Sequence, residues 1–546
     1  MITVFGEASI LRINFPVGQC EFIPGAFRPG IPPVTCDYET DSAHQQNQQQ
    51  YGLSLFIPHA RIHNASHSQK MFAVLKSWLV QSHSTLQIIE LHWRTGIVLE
   101  IPGILESAIS RRCFLQTAGY AAIAAALNQR RLSASKNTPH TPIRSCVLLM
   151  LYGGPSQIDT WDMKPEASSE VRGEYRPIKT SVPGLINCEH LTACAQIMHK
   201  LTVIRSMHHD LTNHNSAMYQ ALVGKIPSSN NEVLGENRLG DFPNVAAAIS
   251  YATAHGALPR TGNPLINVAL PHVMHNVVDL PGQNSGFLGG SHDPFQINAD
   301  PNAEQFRVQN LQRPPAVSEP RLQDRRALLK SLDQLDVENV DLASYQRRAF
   351  ELLQNDTVQN AFRIEREPTS VREQYGRHKL GQSLLLARRL VESGVRFINV
   401  HDGVLNGQTV NWDSHSNLFP RHRELLAPLD QGFAAFINDL DQRGLLDSTL
   451  VIAMGEFGRT PRVNVHGGRD HWPNCYSVVL AGGGVQQGTA YGASDNLGVY
   501  PQSHPVTPAD LAATIFTRFG INPEIEIRDR TDRPFKLSEG NFIPVF

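Results

Sequence analysis

Short apolar runs that end at glycine-rich polar breaks recur along this chain, and stretches with apolar residues at helical spacing lie between them. Cys146–Tyr152, Leu201–Ile204, Leu265–Ala269, Val395–Val400, Ser448–Ala453 and Ser477–Leu480 read as buried strands, because a run with apolar residues on both faces has no side to offer water. Leu185–Lys200, Ser216–Val223, Pro243–Ala254, Lys379–Ser393 and Leu425–Arg443 read as helices. A last helix begins with Thr507 as N-cap, Pro508 at its first position and Asp510 in its first turn, and stops at Gly520. Strand and helix alternate, the pattern of an α/β fold around a mostly parallel sheet flanked by helices. Residues 301–378 interrupt it; charged and helical in pattern, they read as an inserted helical cap. The glycine-rich Leu280–Gly290 reads as a lid or rim loop.

These elements fall within residues 140–546. Residues 1–105 form an extension of a different kind, with a glutamine-rich tract from His44 to Gln50 and weak periodicity. Within 106–136, Arg111 and Arg112 precede an apolar run from Ala118 to Leu127 and the small residues of Leu132–Ser135. That order is the pattern of a twin-arginine export signal, which sends a protein to the periplasm or cell surface. Its place behind more than a hundred residues points to a start assigned too early. A short buried helix is the competing reading of the same run.

Composition narrows the classes. Of 546 residues, 41% are hydrophobic and 18% charged, enough for a sizeable core and too apolar for global disorder. A net charge of -2 gives no electrostatic case for nucleic acid or a membrane surface as partner. No apolar segment reaches the roughly 18 residues that span a bilayer. The seven cysteines contain no CxxC pair, so neither a zinc ribbon nor a thioredoxin-type site is indicated. Walker, Rossmann and G-x-S-x-G patterns are absent from the sequence.

The candidate chemistry gathers behind the predicted strands, where ligands of α/β sheets collect. Asp159 and Asp162 follow the first strand. His208, His209, Asp210, His214 and Ser216 crowd the loop after Leu201–Ile204, just ahead of a helix N-terminus, a natural anion site. Asp413 and His415 stand two apart after Val395–Val400, so both can reach one metal. Glu456, Arg459, His466, Arg469, Asp470 and His471 follow Ser448–Ala453. Carboxylates and imidazoles suit a divalent cation (Zn, Ca, Mg or Mn), and guanidiniums suit an anion. Polar loops laced by structural ion pairs are the competing reading of each cluster.

In order, R-R-x-F-L, L-Y-G-G-P-S-Q-I-D-T-W-D, I-R-S-M-H-H-D-L-T-N-H-N-S-A, P-G-Q-N-S-G-F-L-G, W-D-S-H-S-N, M-G-E-F-G-R-T-P, G-R-D-H-W-P and V-T-P-A-D-L-A-A-T-I stand along the chain. This set resembles the bacterial domain of unknown function 1501 family, abundant in planctomycetes and usually bearing twin-arginine signals. The resemblance runs from Ser110 to the C-terminus and implies a remote relationship to the alkaline phosphatase and sulfatase superfamily, hence an alkaline-phosphatase-like sheet. Carried over, that pattern implies Asp159 as a metal ligand with Asp162 as competitor, Asp413 and His415 as a ligand pair, Glu456 in place of an Asp-His pair, and His471 with Asp470 as the last ligands. His466 has no counterpart, and Arg459 and Arg469 become the anion clamp. The superfamily nucleophile lies ten residues before the glycine that ends the next helix; counting back from Gly224 gives His214, not Ser, Thr or Cys. His209 and Ser216 are the other candidate reacting groups of that loop, and the C-x-P-S-R signature of sulfatases is missing.

The resemblance therefore implies an exported, metal-dependent hydrolase of phosphate or sulfate esters, acting on a small-molecule or polysaccharide substrate. The alternative is a sulfatase-like fold without chemistry that binds carbohydrate at the cell surface.

Overall fold

The computed structural model describes residues 2–3, 11–14, 52–55, 141–227, 240–259, 261–276, 278–308, 311, 317–333, 340–402 and 411–546. The chain divides into two units, Met1–Ala125 and Ala126–Phe546. In the first, Ile2–Thr3, Leu11–Asn14 and Gly52–Leu55 pair antiparallel. The expected export signal at 106–136 and nearly all of the expected extension at 1–105 lie outside the described residues.

The second unit is built on one eight-stranded sheet. Its strands are β1 (Ser145–Leu151), β2 (Leu201–Met207), β3 (Asn267–Leu270), β4 (Phe295–Gln296), β5 (Phe397–Asp402), β6 (Thr449–Met454), β7 (Tyr476–Gly482) and β8 (Thr489–Tyr491). They lie in the order β8-β2-β7-β6-β1-β5-β3-β4. Only β7 runs antiparallel to its neighbours β6 and β2; the other pairs are parallel. The expected α/β fold with a mostly parallel sheet is formed. The edge strands β4 and β8, of two and three residues, are too short for periodicity to announce.

Strand β1 is buried at every position, and its side chains divide between two cores. Val147, Leu149 and Leu151 join the core under α5 (Lys379–Glu392) and α6 (Leu418–Gln442). Cys146, Leu148 and Met150 join the one under α1 (His214–Val223), α2 (Val245–Ala254) and α7 (Pro508–Phe519). Successive strand residues point to opposite faces, so a central strand covered on both sides must be apolar throughout. Phe433 and Phe436 of α6 are fully buried; truncating either to Ala costs about 3–5 kcal/mol. Helix α7 has the full capping box of Thr507 and Asp510 with Pro508 at its first position. Residues 301–378 carry α3 (Glu319–Asp333) and α4 (Val340–Gln354), with shorter helices at Asp356–Ala361 and Thr369–Tyr375.

One local expectation is overturned. Leu185–Lys200 is not one helix: Ile186–Cys188 pairs with Pro177–Lys179, and only Thr192–Gln196 is α-helical. The cap of that short helix comes from far along the chain, since the Asp430 carboxylate accepts from the N–H groups of Ala193 (2.8 Å) and Cys194 (2.7 Å). Leu280–Gly290, expected as a lid or rim loop, packs against the body of the unit. Leu280 is fully buried, and a Cβ on Gly286 would sit 2.0 Å from the Asp241 carbonyl oxygen.

Candidate metal centre

The site forms where β1, β2, β5 and β6 end and β7 is about to begin, the edge at which carboxyl ends of parallel strands leave a crevice. Beyond β1, Gly153 and Gly154 turn with φ of 107° and 77°. A Cβ on Gly153 would come within 2.3 Å of the Asp413 amide nitrogen, so glycine is what lets the Asp413 backbone close on this turn. Asp413 returns beyond β5, its neighbour Trp412 tied to β5 by Nε1–H donation to Asp402 (3.0 Å). Beyond β6 comes Glu456, fully buried. His214 opens α1, capped by Asn213, whose side chain accepts from the Asn215 N–H (2.9 Å). His471 sits on a short ribbon opposite Arg459.

These side chains converge. His214, Asp413 and His471 each offer a ligand atom, and the three atoms lie within 4.8 Å of one another. His415 adjoins them, with Nε2 3.0 Å from His471 Nε2 and 3.1 Å from Asp413 Oδ1. Every imidazole presents Nε2 inward, because each Nδ1 faces an oxygen. Those oxygens are Glu456 Oε1 for His214 (2.5 Å), the Thr212 carbonyl for His471 (2.7 Å) and Asp470 Oδ1 for His415 (2.7 Å). An Nδ1 that donates leaves Nε2 as a bare lone pair. His214 Nε2 is buried without a hydrogen-bond partner, 3.3 Å from Asp413 Oδ2. Three lone pairs and a carboxylate facing one another repel unless positive charge sits among them. Imidazoles oriented by oxygen acceptors behind them are how proteins present histidine to a metal.

The electrostatics carry the same demand. Burial works against a charged His214, yet Asp413 and Glu456 on either side outweigh it and carry the imidazole up to about 9. Burial would raise Asp413, but the adjoining His214 and His471 imidazoles and the Arg459 charge pull it far below the carboxylate range. His471 is lowered, chiefly by burial. The cluster thus holds positive charge, as a proton on His214 or as a cation. Phe457 packs on His214 and His471 with ring centroids at 4.9 and 4.5 Å, closing the inner wall to water.

Residues 143–544 match the model of the family described as Protein of unknown function (DUF1501). The chain belongs to this family. No curated protein matches it. Among solved structures it is similar to a sulfatase from Pseudoalteromonas sp., at 12% identity over 72% of this chain and 71% of that one, with a TM-score of 0.35. It is also similar to an alkaline phosphatase superfamily protein from Vibrio parahaemolyticus, at 12% identity, coverages of 72% and 73%, and a TM-score of 0.32. A third is a phosphonate monoester hydrolase from Silicibacter pomeroyi, at 11% identity, coverages of 73% and 75%, and a TM-score of 0.31. At these TM-scores the similarity decides nothing about substrate or reaction.

In this DUF1501 chain several residues expected at the site are engaged elsewhere. Asp159, expected as a ligand, gives both oxygens to Arg469 (Nε 2.7 Å, Nη2 3.1 Å) and accepts from Ser156. Arg469, expected to clamp an anion, directs its remaining N–H groups to the carbonyls of Thr460, Pro461 and Val171, and has none left for a ligand. Arg459, the other expected clamp, is equally buried and bonds Asp413 Oδ1 (2.6 Å) and the carbonyls of Gly153, Gly154 and Arg469. Both guanidiniums hold the site together from inside. Glu456, expected as a ligand, stands behind His214 instead; its oxygens also accept from Gly153 N–H (3.0 and 3.2 Å). Asp470 likewise backs His415. Asp162 pairs with Lys164 (3.0 Å) away from the cluster.

Of the expected reacting groups, His209 points Nε2 at the Glu456 carbonyl (2.7 Å), and burial lowers its pKa. The Ser216 hydroxyl donates to the Asn213 carbonyl (3.2 Å) within its own helix. His214 is in the cluster, with the geometry of a ligand. Sequence reasoning missed the Thr212 carbonyl and the Gly153 N–H. Their signal was indirect: a ligating histidine needs an acceptor behind it, and a buried carboxylate needs donors.

Proposed function

We propose that the chain is a metal-dependent hydrolase of phosphate or sulfate esters, small-molecule or polysaccharide, with His214, Asp413, His415 and His471 holding a divalent cation. The observation that carries this reading is the convergence of three Nε2 atoms on Asp413, each ring held from behind at Nδ1, with the Nε2 of His214 buried and unpartnered. A bound cation would polarise an ester oxygen and acidify a water. The chain's own part is orientation. Glu456, Asp470 and Thr212 fix the imidazoles, Arg459 anchors one Asp413 oxygen, and Phe457 with Tyr152 shields the inner side of His214. Export by the twin-arginine stretch belongs to the same proposal.

One observation favours a carbohydrate-binding protein without chemistry: of the arginines expected to grip an anion, Arg469 has every donor spent internally and Arg459 is buried with most of its donors on the protein itself. Metal content and turnover separate the two. Purified protein is expected to carry a divalent metal by mass spectrometry, to cleave an aryl phosphate or aryl sulfate, and to lose that activity on chelation and in His471→Ala. Protein that holds no metal and cleaves neither ester would sink the hydrolase reading.

A further inference from the structure

We infer that this centre selects a nitrogen-seeking late first-row cation such as Zn or Co over Ca and Mg, with His415 as its fourth ligand. The inference rests on the metal-centre reading above and adds the identity of the cation.

The supply of oxygen decides it. Ca takes 6–8 oxygen ligands and Mg prefers an all-oxygen octahedron, so either needs several carboxylates or carbonyls turned inward. Of the four carboxylates expected or found at the cleft among the described residues, Asp413 is the one that faces the imidazoles without both oxygens being spent on other partners. Both Asp159 oxygens lie on Arg469. Both Glu456 oxygens accept from Gly153, and one also from His214. Asp470 faces outward to His415 and Asn464. Asp413 itself already accepts from Arg459 on Oδ1, which weakens that oxygen as a donor. Among the described residues, the Gly153, Gly154 and Arg469 carbonyls beside Asp413 already accept from Arg459.

Nitrogen is in surplus by comparison. Three Nε2 lone pairs surround one carboxylate, a donor set that suits Zn, Co, Fe or Ni rather than the hard cations. The rings cannot turn away, because each is held by its Nδ1 partner. His415 completes the set from the outside. Its Nε2 lies 3.0 Å from that of His471, and with each Nδ1–H given to an oxygen behind it the neutral rings would turn two lone pairs toward each other. Only a cation or an added proton makes that contact favourable.

Full-length protein stripped by a chelator and dialysed against equal concentrations of Zn, Co, Ca and Mg tests this, with bound metal counted by mass spectrometry. One Zn per chain, at least about 100-fold preferred over Ca, is expected from the donor set. The Co form should show the intense visible band of low-coordinate cobalt. His415 is half-exposed, so His415→Ala should fold; it is expected to weaken Zn by more than about 100-fold, beyond the range for losing an outer partner. Ca or Mg bound in preference, and lost in His471→Ala, overturns the inference while the metal-dependent reading stands. No divalent cation bound at all overturns both. Unchanged Zn affinity in His415→Ala overturns the assignment of the fourth ligand.

Discussion

Asp159 and Asp413 stand at the same sheet edge, each beside an arginine from the stretch after β6, and they end in different states. Asp159 is fully buried, and the planar fork of Arg469 meets both its oxygens, so its charge is cancelled inside the protein. Asp413 is 27% exposed at its side chain, touches Arg459 through one oxygen and faces the Nε2 atoms of three imidazoles. The first pair is complete; the second leaves Asp413 open to the imidazoles around it. Nearness to histidines and a strand end therefore does not make a carboxylate a metal ligand. Unspent lone pairs do.

The same substitution at the two sites should separate these states. Asp159→Asn leaves Arg469 buried without its counter-charge, and stability is expected to fall by about 3–5 kcal/mol. Denaturant melts measure it, and the metal affinity of the folded fraction should not change. Asp413→Asn should do the reverse in kind. The amide oxygen still meets Arg459, but the charge shared by three imidazoles is gone, so metal affinity is expected to fall more than about 100-fold. If Asp159→Asn strips the metal and Asp413→Asn leaves it in place, the contrast is drawn the wrong way round.

What the sequence showed and what it hid divide along the same line. The apolar runs of β1, β5, β6 and β7 located the sheet, and with it the edge where His214, Asp413 and His471 gather, because burial on both faces writes itself into every position of a central strand. Motif order placed His214 at the site. Its job was not legible, since the partner that fixes its tautomer, Glu456, lies 242 residues away. Arg469 looked like an anion clamp for the same reason: Asp159, its actual partner, is 310 residues distant. Leu185–Lys200 failed as a helix where an Asp430 cap reached in from α6 and a hairpin took the first turn. Residue type and spacing reveal where chemistry can gather, whereas the pairing of charges is decided only by the folded chain.

Glu456→Gln tests the support behind the proposed ligands. Its two oxygens accept from Gly153 N–H and His214 Nδ1, and an amide can offer only one acceptor to these donors. Either His214 switches tautomer and buries its lone pair, or Gly153 faces an N–H. A loss of about 10- to 100-fold in metal affinity is expected, the range for removing an oriented partner of a ligating histidine. Because Glu456 is fully buried, salt should not alter the effect.

Asp470→Asn is the milder counterpart and the finer test. Asp470 performs for His415 what Glu456 performs for His214, a carboxylate oxygen on Nδ1 at 2.7 Å, but its side chain is 54% exposed. Water already stabilises the charge there, and exposed pairs contribute no more than about 1 kcal/mol. The loss of metal affinity should therefore be about fivefold or less, and it should shrink between low salt and roughly 1 M, where screening acts within a few ångströms. A loss as large as that of Glu456→Gln, unmoved by salt, would mean that the outer half of the centre is closed to solvent when the cation is bound. The difference between the buried and the exposed carboxylate would then belong to the metal-free chain alone.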